Sequence, residues 1–157
     1  MDDPSEIPDG ATRSIPINVD VGPVVDRHRV VLQCLSWFPD LLAEGVQPVD
    51  YLDLAYRFVP PLTEEERYSA SFAWKVWELR VQDELGTNYD ASTGGLGPQG
   101  GDREIHPAPP SQATVLTLSV GAPRVSAAGE QRPIRIVKQI QVDLTTGTVS
   151  TLGHAGV

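Results

Sequence analysis

Apolar and polar residues alternate with a period of two over much of the chain. Ile15, Ile17, Val19 and Val21 alternate with Pro16, Asn18 and Asp20, which predicts a strand. Pro16 has no N–H for a ladder, so this strand is expected at a sheet edge. Arg29 to Phe38 is a second strand. Val31, Leu35 and Trp37 share one parity, interrupted by Gln33, and Val30, Leu32, Cys34 and Phe38 share the other, interrupted by Ser36. Two largely apolar faces predict a central strand covered on both sides. Asp50 to Val59 is a third, with Leu52, Leu54, Tyr56 and Phe58 on one face and Asp53, Ala55 and Arg57 on the other.

Thr63-Glu64-Glu65-Glu66 matches a capping box and opens two alternatives. One is a helix running through Trp77. The other is a short helical turn over 63–68 followed by a strand from about 71 to 82, bulged between Val76 and Trp77. The helix would wrap Trp74 and Trp77 around its surface, which favours the second. Asp83-Glu84-Leu85-Gly86 then reads as a tight turn, with Thr87 to Asp90 pairing back as a hairpin. Residues 91–111, rich in glycine and then proline, read as a long loop. Ala113 to Val120 and Pro133 to Leu144 are further strands, and Thr145-Thr146-Gly147 turns the chain into a last one, Thr148 to Leu152. The sum is about eight strands, an all-β antiparallel sandwich or barrel.

Composition narrows the picture further. The 157 residues suit one domain over 13–152, preceded by a disordered acidic tail over 1–12 and followed by a frayed end over 153–157. One cysteine, Cys34, rules out an internal disulfide. The opening MDDPSEIPDG has no apolar run, and no window approaches the roughly 20 apolar residues of a membrane helix. A cytoplasmic location is therefore expected. Net charge is −9, and residues 1–66 carry all of it, with 13 acids against 4 arginines. Such a chain repels phosphate backbones and anionic lipid, so neither nucleic acid nor a membrane is an expected partner.

From Phe72 onward the sequence resembles an immunoglobulin-like β-sandwich module found in uncharacterised bacterial proteins. The resemblance rests on Phe72-x-Trp74, Asp83-Glu84-Leu85-Gly86-Thr87-x-Tyr89, the glycine-rich loop, Pro107-x-Pro109-Pro110 and Leu116-x-Leu118. It covers roughly residues 70–120 and departs near Glu104-Ile105, where an aromatic strand residue belongs. It implies a fold and no activity.

Chemical motifs are few. Gly95-x-Gly97-x-x-Gly100 has the spacing of a dinucleotide fingerprint, but Asp102-Arg103 and a proline cluster follow it instead of a helix. Asp83, Asn88 and Asp90 lack the spacing of a calcium loop and suit a turn. His28, His106 and His154 are isolated and expected at the surface, and Cys34 is expected as a small buried hydrophobe. No catalytic, cofactor or metal-binding residue is assigned.

The sequence thus predicts a non-catalytic interaction or accessory module that binds a protein partner through loops or a strand edge, with Asn88, Tyr89 and Asp90 as the contact residues. Edge pairing would also permit a homo-oligomer. Two other readings stand beside it. One is a small barrel, a carrier or a cyclase-type enzyme, enclosing an apolar ligand in at least ~300 Å³. The other is a structural subunit whose acidic part meets Arg124, Arg132, Arg135 and Lys138 of a neighbour.

Overall fold

The computed structural model describes residues 10–25, 28–39, 50–65, 78–95, 97, 99–125 and 131–152. Within them lie nine strands: β1 (Arg13–Val25), β2 (His28–Pro39), β3 (Asp50–Val59), β4 (Glu78–Asp83), β5 (Asp90–Thr93), β6 (Gly100–His106), β7 (Val115–Val125), β8 (Gln131–Asp143) and β9 (Val149–Leu152). They form two antiparallel sheets in the orders β1-β2-β3-β6-β5 and β4-β7-β8-β9. One apolar cluster draws on both, with Leu32, Leu54 and Ile105 from the first and Leu118, Ile140 and Val142 from the second. This is the arrangement of a β-sandwich, not of one closed barrel.

β1 lies at a sheet edge, as Pro16 predicts. Its register slips between Pro16 and Val19, where Asn18 takes a positive φ of 52°. β2 explains its own double apolar pattern. A register shift between Leu32 and Cys34 makes Gln33 a bulge, and a bulge reverses the facing of everything beyond it. Val30 and Leu32 are buried before it, Leu35 and Trp37 after it. The strand is central, as expected, and its other face is half-buried at Cys34 and Phe38. β3 keeps one parity throughout, and Leu52, Leu54, Tyr56 and Phe58 all enter the core.

Several expectations change. Glu64 and Glu65 are helical, while residues 66–77, with Trp74, Trp77 and the proposed bulge, lie outside the described residues. Residues 87–90 do not pair back on β4. β4 pairs with β7 in the second sheet, and β5 pairs with β6 in the first. The reason is local. Asp83 Oδ1 accepts the amides of Leu85 (2.9 Å) and Thr87 (3.0 Å), and Gly86 takes φ 78°. These bonds curl the chain into a corner that leads from one sheet to the other.

The stretch expected as loop over 91–111 contains β5 and β6. The sequence Gly-Gly-Asp-Arg-Glu-Ile-His has little intrinsic strand preference, and it is the register with β3 that makes it a strand, from Leu52↔Ile105 to Arg57↔Gly100. Gly100 is required there: its φ is 152°, and a Cβ would collide with the Tyr56 carbonyl.

His28, expected at the surface, is fully buried. It shares the core-facing parity of Val30 and Leu32, its Nδ1 lies 2.7 Å from the Pro60 carbonyl, and its ring meets the Phe58 ring edge-on. Cys34, expected buried, is half-buried, with Sγ 4.0 Å from Ser36 Oγ. The closing hairpin forms as expected: β8 and β9 pair, Asp143 Oδ1 accepts the amides of Thr145 and Thr146, and Gly147 takes φ 78°.

Candidate functional site

An open cleft of about 860 Å³ lies at one end of the two sheets. Arg13 at the start of β1, Trp37 near the end of β2 and Asp50 at the start of β3 contribute from the first sheet. The corner before β5 brings Thr87, the β6–β7 connection brings Pro107 to Pro110, and the turn after β8 brings Thr145. A proline-rich connection belongs here because the chain must leave one sheet without continuing its ladder.

Hydrogen bonds fix this end firmly. The Ala108 amide donates to the Asp50 carbonyl (2.8 Å), the Ala113 amide to Pro110 (2.9 Å) and the Leu144 amide to Thr114 (2.8 Å). Glu84 reaches across to accept the Thr114 amide (2.9 Å) and hydroxyl (2.5 Å), and these bonds hold its carboxyl below the usual carboxylate range. The Arg13 guanidinium donates to the Leu144 carbonyl and lies 4.7 Å over the Trp37 ring, which fixes both side chains. The walls thus combine the Trp37 ring and prolines with threonine hydroxyls, one guanidinium and one carboxylate. Such a surface binds by shape and hydrogen bonding. Among the described residues no group of three potential ligands is placed to hold a metal ion.

The three residues expected as contacts are close in sequence and divided in space. Asn88 and Asp90 are exposed. Tyr89 points inward, packs against the core, and donates its hydroxyl to Asp83 Oδ2 at 2.6 Å. Burial and this bond to a carboxylate push the Tyr89 pKa up. Burial works against ionisation of Asp83, but bonds from Thr87, Tyr89 and Leu85 outweigh it and hold its pKa at about 2. Tyr89 is therefore an internal brace. None of the three lines the cleft, although Thr87 beside them does.

A second concentration of chemistry lies on the outer face of the first sheet. The register sets Asp53 opposite Glu104 and Ala55 opposite Asp102, so three acids share one face of β3 and β6. Burial, the hydrogen bond to Asp102 and the charges of Asp102 and Glu104 push the Asp53 pKa up to about 8. Glu104 Oε1 lies 3.1 Å from His106 Nε2, and the His106 ring stacks on Tyr51 at 4.9 Å between centroids. The sequence reading missed this cluster and the cleft. The spacing Asp102-x-Glu104-x-His106 carries the cluster's signal, but only once 100–106 is read as a strand. The cleft's residues come from six separate stretches, which no local pattern joins.

No family model matches the chain, and no curated protein matches it. Among solved structures, a conserved domain protein from Bacillus anthracis is similar at 15% identity and a TM-score of 0.37, over 84% of this chain and 48% of that one. The chain thus spans about half the length of that protein.

Proposed function

We propose that this chain is a non-catalytic interaction module of immunoglobulin-like type that binds an extended segment of a protein partner in its end cleft. The observation that carries the reading is the cleft itself: it is open, tied by backbone hydrogen bonds at Ala108, Ala113 and Leu144, and lined by Trp37, prolines and threonine hydroxyls. An end surface of this kind suits a polypeptide, because backbone groups of the guest can bond to hydroxyls while its side chains lie on the Trp37 ring and the prolines. The net charge of −9 favours a protein guest over nucleic acid or anionic lipid.

Strand order supports the immunoglobulin-like type. The constant-type immunoglobulin sandwich has sheets A-B-E-D and C-F-G. Here β2-β3-β6-β5 and β4-β7-β8 have that same order if β2 is taken as A, with β1 and β9 added at the outer edges. The corners around the cleft, at 84–89 and 107–114, then correspond to the C–D and E–F connections.

Panning a library of displayed random peptides on the immobilised protein tests the reading. Peptides that bind the native protein should lose binding to Thr145→Arg and Pro109→Glu, which fill or charge the cleft, and keep it with Arg80→Glu, at an exposed position of β4 outside the cleft. Selected peptides that bind all four forms equally would refute it.

A further inference from the structure

Much of the donor capacity of the end cleft is spent inside the protein. The Ala108 amide goes to the Asp50 carbonyl, and the amides of Thr87, Thr114 and Thr145 go to the carboxylates of Asp83, Glu84 and Asp143. The three lining prolines have no N–H to offer. The Thr114 hydroxyl donates to Glu84 and the Ser111 hydroxyl to the Gln112 side chain. A hydroxyl that has given its hydrogen away still accepts. A guest in this cleft therefore meets acceptors more readily than donors.

Asp50 turns that bias into a charge. It opens β3, lines the cleft and is half-buried. Among the described residues no donor meets its carboxylate. A neutral or acidic guest that covers this group strips water from a charge and returns no bond for it. A cationic guest returns a charge-assisted hydrogen bond. Arg13 is the one cation among the described lining residues, and it is already engaged, over the Trp37 ring and with the Leu144 carbonyl. Glu84, bonded to the lining residue Thr114, offsets its charge, and the whole chain carries −9. Charge complementarity thus points to a basic partner.

We infer that the guest of the end cleft carries a basic side chain, arginine before lysine, which donates to the Asp50 carboxylate. The inference rests on the peptide-binding reading above and names the kind of peptide. Arginine suits the site because its five N–H donors lie in one plane and can serve a carboxylate and a second acceptor together. Its apolar stem can lie on the prolines. Pro109→Glu removes part of that surface, so it loses binding although it adds a carboxylate.

Four displayed libraries of short peptides test the inference, each with its central residue fixed as arginine, lysine, glutamine or glutamate and the others random. Binders should come chiefly from the arginine library, next from the lysine library and least from the glutamate library. A selected arginine peptide is then compared by fluorescence anisotropy with the same peptide carrying citrulline, which keeps the shape and loses the charge. On the native protein the citrulline peptide should bind about tenfold or more weakly, the range of a hydrogen bond to a charged group. Asp50→Asn should bind the two peptides nearly equally, because the arginine has lost its partner. If Asp50→Asn does not fold, the citrulline comparison on the native protein decides. Equal affinity of the native protein for both peptides would overturn the inference, as would binders drawn mainly from the glutamine or glutamate library. A loss with Arg13→Gln that Asp50→Asn does not share would overturn it too, by assigning the anchor to the wrong charge. Those outcomes leave the cleft standing as a peptide site. Selected peptides that bind Thr145→Arg as well as the native protein would instead remove the cleft reading, and this inference with it.

Discussion

At the residue scale, two aspartates with opposite environments give opposite pH dependences. The folded-state pKa of Asp53 is raised from 3.8 to about 8. Its contribution to stability is complete below about pH 4, declines as pH rises, and is lost above about pH 8. Asp53→Asn should flatten that decline, and its melting temperature should exceed that of the native protein at about pH 9 while matching it more closely at about pH 5. Thermal melts across that range check it. Asp83 runs the other way. Its folded pKa is lowered to about 2, so its contribution is present above about pH 4 and lost as pH falls through about 2. Asp83 is only half-buried, so screening by solvent keeps that contribution small. Tyr89→Phe removes the hydroxyl bond to Asp83 and should cost about 1 kcal/mol in urea unfolding.

At the element scale, β6 depends on its glycines. Gly100→Ala places a methyl group against the Tyr56 carbonyl in a backbone conformation that side chains rarely adopt. It should destabilise the fold by about 3 kcal/mol. Circular dichroism melts of Gly100→Ala beside Gly147→Ala check this, because Gly147 has open space around its missing Cβ and carries only the positive-φ cost. The same elements show what the sequence makes legible. β1, β3, β7 and the β8–β9 hairpin follow local alternation and turn chemistry. β2 is legible as a strand, but its bulge at Gln33 is visible only as a change of parity. β6 is illegible locally, because its strand character comes from pairing with β3 and not from its own residues. The corner at 83–89 misleads for a related reason. Asp83 and Gly86 make a turn in either topology, and only the partner strand decides which sheet receives the next element.

At the scale of the whole molecule, two open-edged sheets leave function to surfaces and ends, since the space between them is filled by side chains. Among the described residues no helix is long and apolar enough to cross a membrane. The Asn88–Asp90 tip is divided by the inward turn of Tyr89, whereas the end cleft gathers the Trp37 ring, prolines and hydroxyls at one end of both sheets. Neither face of any single element reveals that cleft, and Asn88, Tyr89 and Asp90, the contacts read from the sequence, do not line it. The most direct measurement is chemical-shift mapping of the labelled protein with a peptide selected on it. The Trp37 indole N–H and the amides of Arg13, Thr87 and Thr145 should shift together as the peptide saturates. Shifts confined to the edge strands β1 and β9, or to Asn88 and Asp90, with the cleft residues unmoved, would contradict the account.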